Sequence, residues 1–509
     1  MPARRPIPLP FRHAALAAML ALAGCAADPA QPPTARADTI VRLSDDEVKG
    51  LDPQKVSDVS SLRVAADQFE GLMRYSGDGG AEPGLAEAAP DCRALVCTLR
   101  LRAGLRFSDG EPIDATAFAR GFARLNDPAT ASPTAKLFAA IAAVEAPDAR
   151  TVVVRLRRPM PALAHLLAHP AMAALPLHRI TAAGDGWTAE RPLVTSGAYR
   201  LRTWRLGDRL ELERNPRWHG GAAPTPLIRW QPSEDKLAGL RRFRAGEADT
   251  VADIPQTRLA WAQQALPGAV HVAPYAGTYY FAFNTRRPPF DDVRVRRALS
   301  MAVDREWLAR RLLATGEAPA TGLLPPALGG TNPDPLGHDP AMVRRLLAEA
   351  GYGPDRPLRF TIRFNNSGDH RRVAVALAAM WAKYGVEADM LNSEAQLHFA
   401  ALRRGDFDLA RSGWIADLPS AENFLAVHAG DAGAINYSGF HDAEYDRLLA
   451  RGLEGDAAAL AAAERRLSDQ APILLLYFYV SRTLVATSVG GWQDNVMNIH
   501  PSRLLFRKR

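Results

Sequence analysis

The apolar and polar positions of this chain follow two rhythms, and the change between them falls near residue 290. Before that point, short runs such as "VCTLRLRAGLRFSDGEPIDA" alternate apolar and polar residues and end at turn residues. A period of two predicts β-strands joined by hairpins. Afterwards, apolar residues recur every three or four positions, which predicts helices. The first is predicted to begin at an N-cap, Asp291 or Asp292, and to run as one long helix to Gly316.

Strand and helix patterns alternate between residues 358 and 413. The segment "LRFTIRF" places Leu358 and Phe360 on one face, and the next segment repeats apolar residues such as Val373 and Leu377 at helical spacing. The segments that follow, "VEADML", "EAQLHFAALRRG" and "DFDLARSG", fit strand, helix and strand. This alternation is typical of an α/β layer with parallel strands, which binds ligands beyond the carboxyl ends of its strands.

The last of these strands leads into a group of residues suited to ligand binding. The stretch "LARSGWIADLPS" (409–420) brings Arg411, Gly413, Trp414 and Asp417 together where the strand ends. These residue types suit a ligand that has a charged end, a backbone and side chains. Three of them also have ordinary structural interpretations. Asp417 could cap the next helix, Trp414 could belong to the core, and Arg411 could face a structural acid.

The N-terminal segment "MPARRPIPLPFRHAALAAMLALAGC" has the pattern of a secretory signal. Three arginines precede an apolar run, and small residues come directly before Cys25. The ending "LAGC" resembles a bacterial lipobox, which implies that residues 1–24 are removed and Cys25 is acylated. The alternative is a plain signal peptide with an incidental cysteine. Residues 25–37 have the composition of a flexible tether, and no later apolar run reaches the roughly 18 residues that span a bilayer.

Length and charge narrow the class of protein. A chain of 509 residues is long enough for two or three domains. Removal of residues 1–24 takes away three arginines and no acids, so the formal charge falls from +7 to +4. An excess this small, without a block of lysine and arginine among aromatics, argues against nucleic-acid binding.

Two cysteines remain after Cys25, and they stand close together. Four residues separate Cys92 from Cys97, a spacing that could close a hairpin as a disulfide in an oxidising compartment. Two free thiols are the alternative. A zinc site is not expected, because two cysteines without a nearby histidine are too few ligands.

Motifs of common enzyme classes are absent from the sequence. It has no G-x-S-x-G, H-E-x-x-H, Walker loop or G-x-G-x-x-G. His165 and His169 are one helical turn apart but lack a glutamate base, so we interpret them as surface or packing residues. Missing motifs are weak evidence by themselves, so a secreted hydrolase remains an alternative. The prediction that the chain is not an enzyme and needs no cofactor or metal rests on the resemblance of most of its length to a known family.

Several segments together resemble the extracytoplasmic solute-binding proteins of bacterial peptide ABC importers, family 5. The resemblance runs from about residue 38 to the end, and two of its segments, "RLNDPATASPTAKLF" and "RSGWIAD", favour the oligopeptide branch. Thr134 and Ala198 depart from the usual pattern of that branch. The other segments are "LDPQKVSDV", "FEGLMRY", "EPGLAEAAP", "LRLRAGLRFSDGEPIDATAF", "SGAYRLRTW", "LERNPRWHG", "YYFAFNTRRPPFDDVRVRRALSMAVDRE", "LLAEAGY", "GDFDLARSGWIADLPSAENFL" and "GWQDNVMNIHPSR".

The resemblance implies an α/β, periplasmic-binding-protein-like type II fold. Two lobes joined by hinge strands would close on a ligand, and an extra domain would be inserted into the first lobe. Lobe I would combine 38–64, 190–275 and 485–509. The inserted small domain would be 65–189, and lobe II, the α/β layer, would be 276–484.

The resemblance also implies roles for the residues of the candidate site. Asp417 would hold the α-ammonium of a peptide, and Gly413 would let the peptide backbone approach. Trp414 would form the wall of a side-chain pocket, and Arg411 would orient its neighbours or meet a carboxylate. The opposite wall would come from three consecutive residues, whose alternative role is a simple turn. They are Ser57, Asp58 and Val59.

The function implied is a receptor that captures oligopeptides between its lobes and delivers them to the permease subunits of an ABC transporter. It would face the periplasm as a monomer, anchored to a membrane through lipid on Cys25. Ala26 after the acylated cysteine would permit sorting to the outer membrane. A receptor for murein peptide, metal chelate or haem, and a periplasmic chaperone or signalling subunit, are the alternatives.

Overall fold

The computed structural model describes residues 38–330 and 336–508. The predicted signal segment 1–24, Cys25 and the predicted tether 25–37 lie outside the described residues. No helix in the described part is long and apolar enough to cross a membrane.

The strands of the described residues are short except for two. They are β1 (Thr39–Ser44), β2 (Met73–Tyr75), β3 (Ala81–Pro83), β4 (Asp91–Arg93), β5 (Val96–Arg100), β6 (Ile141–Asp148), β7 (Thr151–Leu156), β8 (Tyr199–Arg205), β9 (Arg209–Arg214), β10 (Leu227–Pro232), β11 (Thr250–Val251), β12 (Val270–Phe283), β13 (Ala318–Pro319), β14 (Leu358–Asn365), β15 (Val386–Ser393), β16 (Leu409–Ile415), β17 (Ile473–Val485), β18 (Val489–Gly490) and β19 (Phe506–Arg507).

The α-helices are concentrated in the second half of the chain. They are α1 (Val59–Gln68), α2 (Ala115–Asn126), α3 (Leu163–Ala168), α4 (Leu177–Ala183), α5 (Lys236–Arg244), α6 (Leu259–Ala265), α7 (Val293–Met301), α8 (Arg305–Trp307), α9 (Pro340–Glu349), α10 (Gly368–Ala382), α11 (Ala395–Arg404), α12 (Ala421–Leu425), α13 (Ala443–Leu453) and α14 (Ala457–Gln470).

One large sheet has the order β15-β14-β16-β12-β17-β11-β1-β10-β9-β8, with β13 paired to β17. Strand β14 runs parallel to both β15 and β16, and helices α10 and α11 connect these strands. The predicted α/β layer is therefore confirmed. The two long strands β12 and β17 are antiparallel neighbours and carry the sheet from this layer to β11 and β1.

A smaller sheet has the order β4-β5-β7-β6 and its own buried apolar cluster. Cys92 and Cys97 face each other across its β4–β5 hairpin and form a disulfide. The predicted residue limits of the two lobes and the inserted domain remain predictions.

The single long helix predicted from Asp292 to Gly316 is wrong. Asp292 does cap α7, accepting from the backbone N–H of Arg294, but α7 ends at Met301. Asp304 then accepts from the backbone N–H of Trp307 and starts a new helix. An aspartate inside an apolar helical pattern can restart the helix because its side chain competes for backbone N–H groups.

Candidate functional site

The end of β16 offers a free strand edge. Strand β16 pairs with β12 along its whole length, from Leu409 to Ile415, but pairs with β14 only at Leu409 and Ala410. Within the described ranges, no strand covers the β14 side of β16 beyond Ala410. The N–H of Ala416 bonds the carbonyl of Ala276, on the β12 side. Because neighbouring residues of a strand point their backbone groups to opposite sides, those of Gly413 and Ile415 face the free edge.

A cavity of about 250 Å³ lies beside this edge. Its lining joins segments that are far apart in the sequence, because Ser57, Val59, Ile415, Asp417 and Met497 all contribute to it. Three of the predicted site residues, Ser57, Val59 and Asp417, are thus brought together around one cavity. Arg411, Gly413, Trp414 and Asp58 are not among its lining residues.

Asp417 is a carboxylate without a cationic partner. Its side chain is exposed to the cavity, and in the described part of the chain no Lys, Arg or His side chain forms an ion pair with it. Crowding by surrounding protein raises the pKa of Asp417, although a hydrogen bond with Asn423 lowers it. The next helix, α12, has Ser420 as its N-cap residue. The alternative role of Asp417 as the cap of that helix is therefore not seen.

Trp414 lies beside Asp417 but packs inward. Its ring is half-buried against an apolar cluster that includes Phe424 and Tyr280. Its Nε1 donates to Oδ1 of Asn423 at 3.0 Å, and the backbone N–H of Asp417 donates to the same oxygen at 3.0 Å. Asn423 therefore fixes both residues relative to each other.

Arg411 is held among aromatic and amide groups. Its Nη2 donates to the Tyr479 hydroxyl at 3.0 Å, its Nη1 to Oδ1 of Asn365 at 3.3 Å, and its guanidinium stands 5.0 Å from the centre of the Tyr279 ring. No acid in the described ranges forms an ion pair with it, and its Nε has no hydrogen-bond partner there. The structural acid considered as the partner of Arg411 is therefore not found in the part of the chain that the structure describes. Burial, and then the charge of Arg411, lower the pKa of nearby His370 to about 2.

A side chain at position 413 would overlap other atoms of the protein itself. A Cβ atom at this position would lie 2.6 Å from the hydroxyl oxygen of Tyr479 and 3.1 Å from the carbonyl oxygen of Thr278. The expectation that glycine leaves room for a peptide is thus incomplete. The missing side chain also lets Tyr479 reach Arg411.

On the opposite wall, Asp58 has a structural task. Its carboxylate accepts from the backbone N–H of Ser61 at 2.9 Å and caps α1. Asp58 therefore has a structural role, but as the cap of a helix and not as part of a simple turn. Val59 is 54% exposed and lines the cavity together with Ser57.

Sequence reasoning missed several cavity residues. Arg63 and Tyr75 come from the region after Val59, Tyr275 from β12 and Met497 from the C-terminal region. Tyr75 and Met497 lie inside the segments "FEGLMRY" and "GWQDNVMNIHPSR", which carry the family resemblance and were the signal available for them. Arg63 and Tyr275 lie outside the segments that carry the resemblance. His169 also lines the cavity, where burial lowers its pKa to about 4.

Comparison with known proteins identifies similar chains over nearly the whole length. The family model described as bacterial extracellular solute-binding proteins, family 5 Middle, matches residues 80–436. The periplasmic oligopeptide-binding protein OppA of Escherichia coli K12 is 34% identical over 94% of this chain and 94% of its own. The periplasmic murein peptide-binding protein MppA of the same organism is 31% identical over 97% of both.

Solved structures agree with the sequence comparisons. Haemophilus influenzae OppA in complex with the peptide RPPGFSPFR superposes with a TM-score of 0.80 and 28% identity, covering 93% of this chain and 99% of that one. The Escherichia coli murein tripeptide-binding protein MppA gives 0.81 and 31% identity, covering 92% and 98%. The predicted periplasmic-binding-protein-like fold is confirmed by these similarities.

We predict that Gly413→Ala lowers the free energy of unfolding by about 1–3 kcal/mol, because the new methyl group overlaps Tyr479 and Thr278. Urea unfolding followed by circular dichroism measures the change. Gly121→Ala is the matched control, since its Cβ would meet nothing within 4 Å and it lies inside α2. That variant should be as stable as the unmodified protein or more so, by up to about 1 kcal/mol. Equal stability of the two variants would contradict the role assigned to Gly413.

Proposed function

Because the chain belongs to the bacterial extracellular solute-binding proteins of family 5, we propose that it captures oligopeptides and delivers them to the permease of an ABC importer. The observation that carries this proposal is the Asp417 carboxylate, which has no ion-pair partner among the described residues and faces a cavity beside a free strand edge. The names of the similar proteins, which bind oligopeptides or murein peptides in the periplasm, support it.

The α-ammonium group of a peptide is the cation that Asp417 lacks. A charge-assisted hydrogen bond between them would be stronger than a neutral one, and closure of the cleft around it would strengthen it further. Binding would also relieve the raised pKa of Asp417, since a nearby positive charge favours the ionised carboxylate.

The peptide backbone would add to the sheet as an extra strand. The backbone groups of Gly413 and Ile415 face the free edge of β16, and an extended peptide could pair with them there. Main-chain hydrogen bonds of this kind give affinity without selecting side chains. This mode suits a receptor that accepts peptides of many sequences.

Arg411 would contribute from farther along the same strand. Its guanidinium is anchored by Tyr479 and Asn365 but has no acidic partner in the described residues. A carboxylate of the ligand could supply one, and Arg411 suits this contact because its planar group binds carboxylates in two places. In the absence of a ligand, Arg411 orients Tyr479.

The proposed mechanism consists of binding and release. It breaks no covalent bond, so it needs no catalytic group or cofactor. Similar proteins are named as periplasmic binding proteins, which places the proposed activity in the periplasm. We further propose that lipid on Cys25 anchors the chain to a membrane and that it acts as a monomer.

Asp417→Asn should weaken the binding of alanine peptides of about three to five residues to the protein. The expected loss of affinity is about tenfold to a hundredfold, since a hydrogen bond to a charged group contributes about 1.5–3 kcal/mol. Calorimetric titration of the ligand-stripped protein measures this change. N-acetylated peptides should bind the unmodified protein as weakly as the free peptides bind Asp417→Asn. Their affinity for the variant should be only slightly lower, because both changes remove the same interaction. Asp431→Asn, at an exposed position outside the cavity, should bind like the unmodified protein. Unchanged affinity in Asp417→Asn would remove its role as the amine-binding group, and no binding of any peptide would contradict the proposed function.

Peptide affinity should also depend on pH in two steps. Asp417 must be ionised to hold an ammonium group, and its pKa is raised, so affinity should fall on acidification starting above the ordinary value of 3.8. It should fall again above about pH 8, where the peptide α-amino group loses its proton. Titrations between pH 4 and pH 9 test this, with circular dichroism to verify that the protein stays folded. In Asp417→Asn, the fall in affinity at acidic pH should disappear while the fall above about pH 8 remains. If the acidic fall persists in this variant, it belongs to another group.

Cys25→Ala should release the protein from membranes into the soluble periplasmic fraction of a Gram-negative host and abolish labelling by radioactive palmitate. Ala26→Asp is the matched control, because it preserves the cysteine and is expected to change the target membrane without losing the label. Absence of label on the unmodified protein would contradict the lipid anchor.

A further inference from the structure

The guanidinium group of Arg63 stands on the wall of the cavity that contains Asp417. Arg63 belongs to α1 and is half-buried. It also lines two smaller cavities, of about 50 Å³ and about 10 Å³. In the described part of the chain, its side-chain hydrogen bond is a long one of 3.4 Å from Nη2 to the carbonyl oxygen of Asn498, and it forms no ion pair.

Three other arginines line the cavity of about 50 Å³. Arg42 donates from Nη1 to the carbonyl of His500 at 2.9 Å and to the Ser502 hydroxyl at 2.6 Å and forms no ion pair in the described ranges, whereas the other two have acidic partners. Arg74 pairs with Glu70 at 3.2 Å and with Glu82 at 2.9 Å, and Arg503 pairs with Glu82 at 2.9 Å. Arg63, like Arg42, has no ion-pair partner among the described residues, but unlike Arg42 it also lines the cavity that contains Asp417. The wall of this cavity therefore carries a positive charge that no acidic side chain of residues 38–330 and 336–508 neutralises in an ion pair.

Titratable groups near Arg63 experience this charge. The pKa of His500 is lowered to about 2, first by burial and then by the charges of Arg63 and Arg42. Arg63 also acts to lower the pKa of Asp45, yet that pKa is raised overall by burial, followed by the charge of Asp253. Asp45 therefore does not serve as a close partner for Arg63.

The remaining walls of the cavity are largely apolar. Val59, Leu62, Ile415 and Met497 contribute side chains that cannot solvate a charge. An anion that enters this space loses water and gains little from these walls, so it would depend on the guanidinium. A neutral polar group of the same shape would gain much less from the same contact.

Asp417 and Arg63 thus present opposite charges to one cavity of about 250 Å³. A ligand complementary to both carries an ammonium group and a carboxylate close together. In a peptide, these are the α-amino group and an acidic side chain near the N-terminus.

We propose that Arg63 binds the carboxylate of an aspartate or glutamate in one of the first two residues of the peptide, and so gives this receptor a preference for acidic N-terminal sequences. The inference rests on the proposed function, with Asp417 holding the α-ammonium group. Backbone pairing with β16 would still admit other peptides, with lower affinity.

Two matched pairs of tripeptides test the proposal by calorimetry. Asp-Ala-Ala against Asn-Ala-Ala probes the first residue, and Ala-Glu-Ala against Ala-Gln-Ala probes the second. In at least one pair, the acidic peptide should bind the unmodified protein about ten- to a hundredfold more tightly, as a charge-assisted contact predicts. Arg63→Met keeps the length of the side chain without its charge, and it should reduce that ratio to about one. Arg120→Met, at an exposed position of α2 outside the cavity, should leave the ratio unchanged.

The possible outcomes distinguish the proposed role of Arg63 from the proposed function as a peptide receptor. If acidic and amide peptides bind the unmodified protein equally, or if the preference survives in Arg63→Met, the role of Arg63 is wrong while the peptide receptor stands. If no tripeptide binds at all, but longer alanine peptides do, the preference for a short acidic N-terminus is wrong. If no peptide of any length binds, both proposals are overturned.

Discussion

The pairing of β12 with β17 is the interaction on which the arrangement of the site depends. These strands come from positions 270–283 and 473–485 and form an antiparallel ladder from Val270 opposite Leu484 to Ala282 opposite Ile473. The rings of Tyr279 and Tyr477 stack across the ladder with centroids 4.5 Å apart. The other edge of β12 holds β16, so this ladder fixes where the end of β16 lies. The register shifts between Pro274 and Thr278, which is a common feature of strands near functional sites.

The tyrosine side chains of this ladder also organise the charge of the site. Tyr479 hydrogen-bonds Arg411 and occupies the space that a side chain on residue 413 would need. A cation without an acidic partner is costly in a protein interior, and ring faces together with hydroxyl and amide oxygens reduce that cost. Arg411 is therefore stable without an acid and remains able to bind one. Tyr479 is thus the residue that both positions Arg411 and excludes a side chain at position 413.

Several charges around the end of β16 and its cavity have no ion-pair partner among the described residues. Asp417, Arg411 and Arg63 are examples, whereas Arg74 and Arg503 nearby pair with glutamates. Residual charge of this kind is costly where it is buried, and in the proposed complex a complementary ligand would compensate it. The free edge of β16 is a further group of polar atoms without a strand partner in the described residues. An unpaired edge can attract other chains, and here it is short and lies beside a cavity.

The sequence by itself determined the local features of this protein. The alternation of strand and helix patterns predicted the α/β layer, and Asp292 was one of two predicted caps. The segment "RSGWIAD" indicated Asp417 as a candidate binding residue. Each of these features depends on residues that are close together in the chain. The prediction of one long helix to Gly316 was wrong, because the apolar periodicity does not reveal that Asp304 starts a new helix. Only the tertiary structure decided that Tyr479 occupies the space beside Gly413, and that Arg63, Tyr275 and Met497 share a cavity with Asp417. Spacing along a chain shows which face a side chain occupies, but which distant faces meet is settled by the packing of the whole sheet.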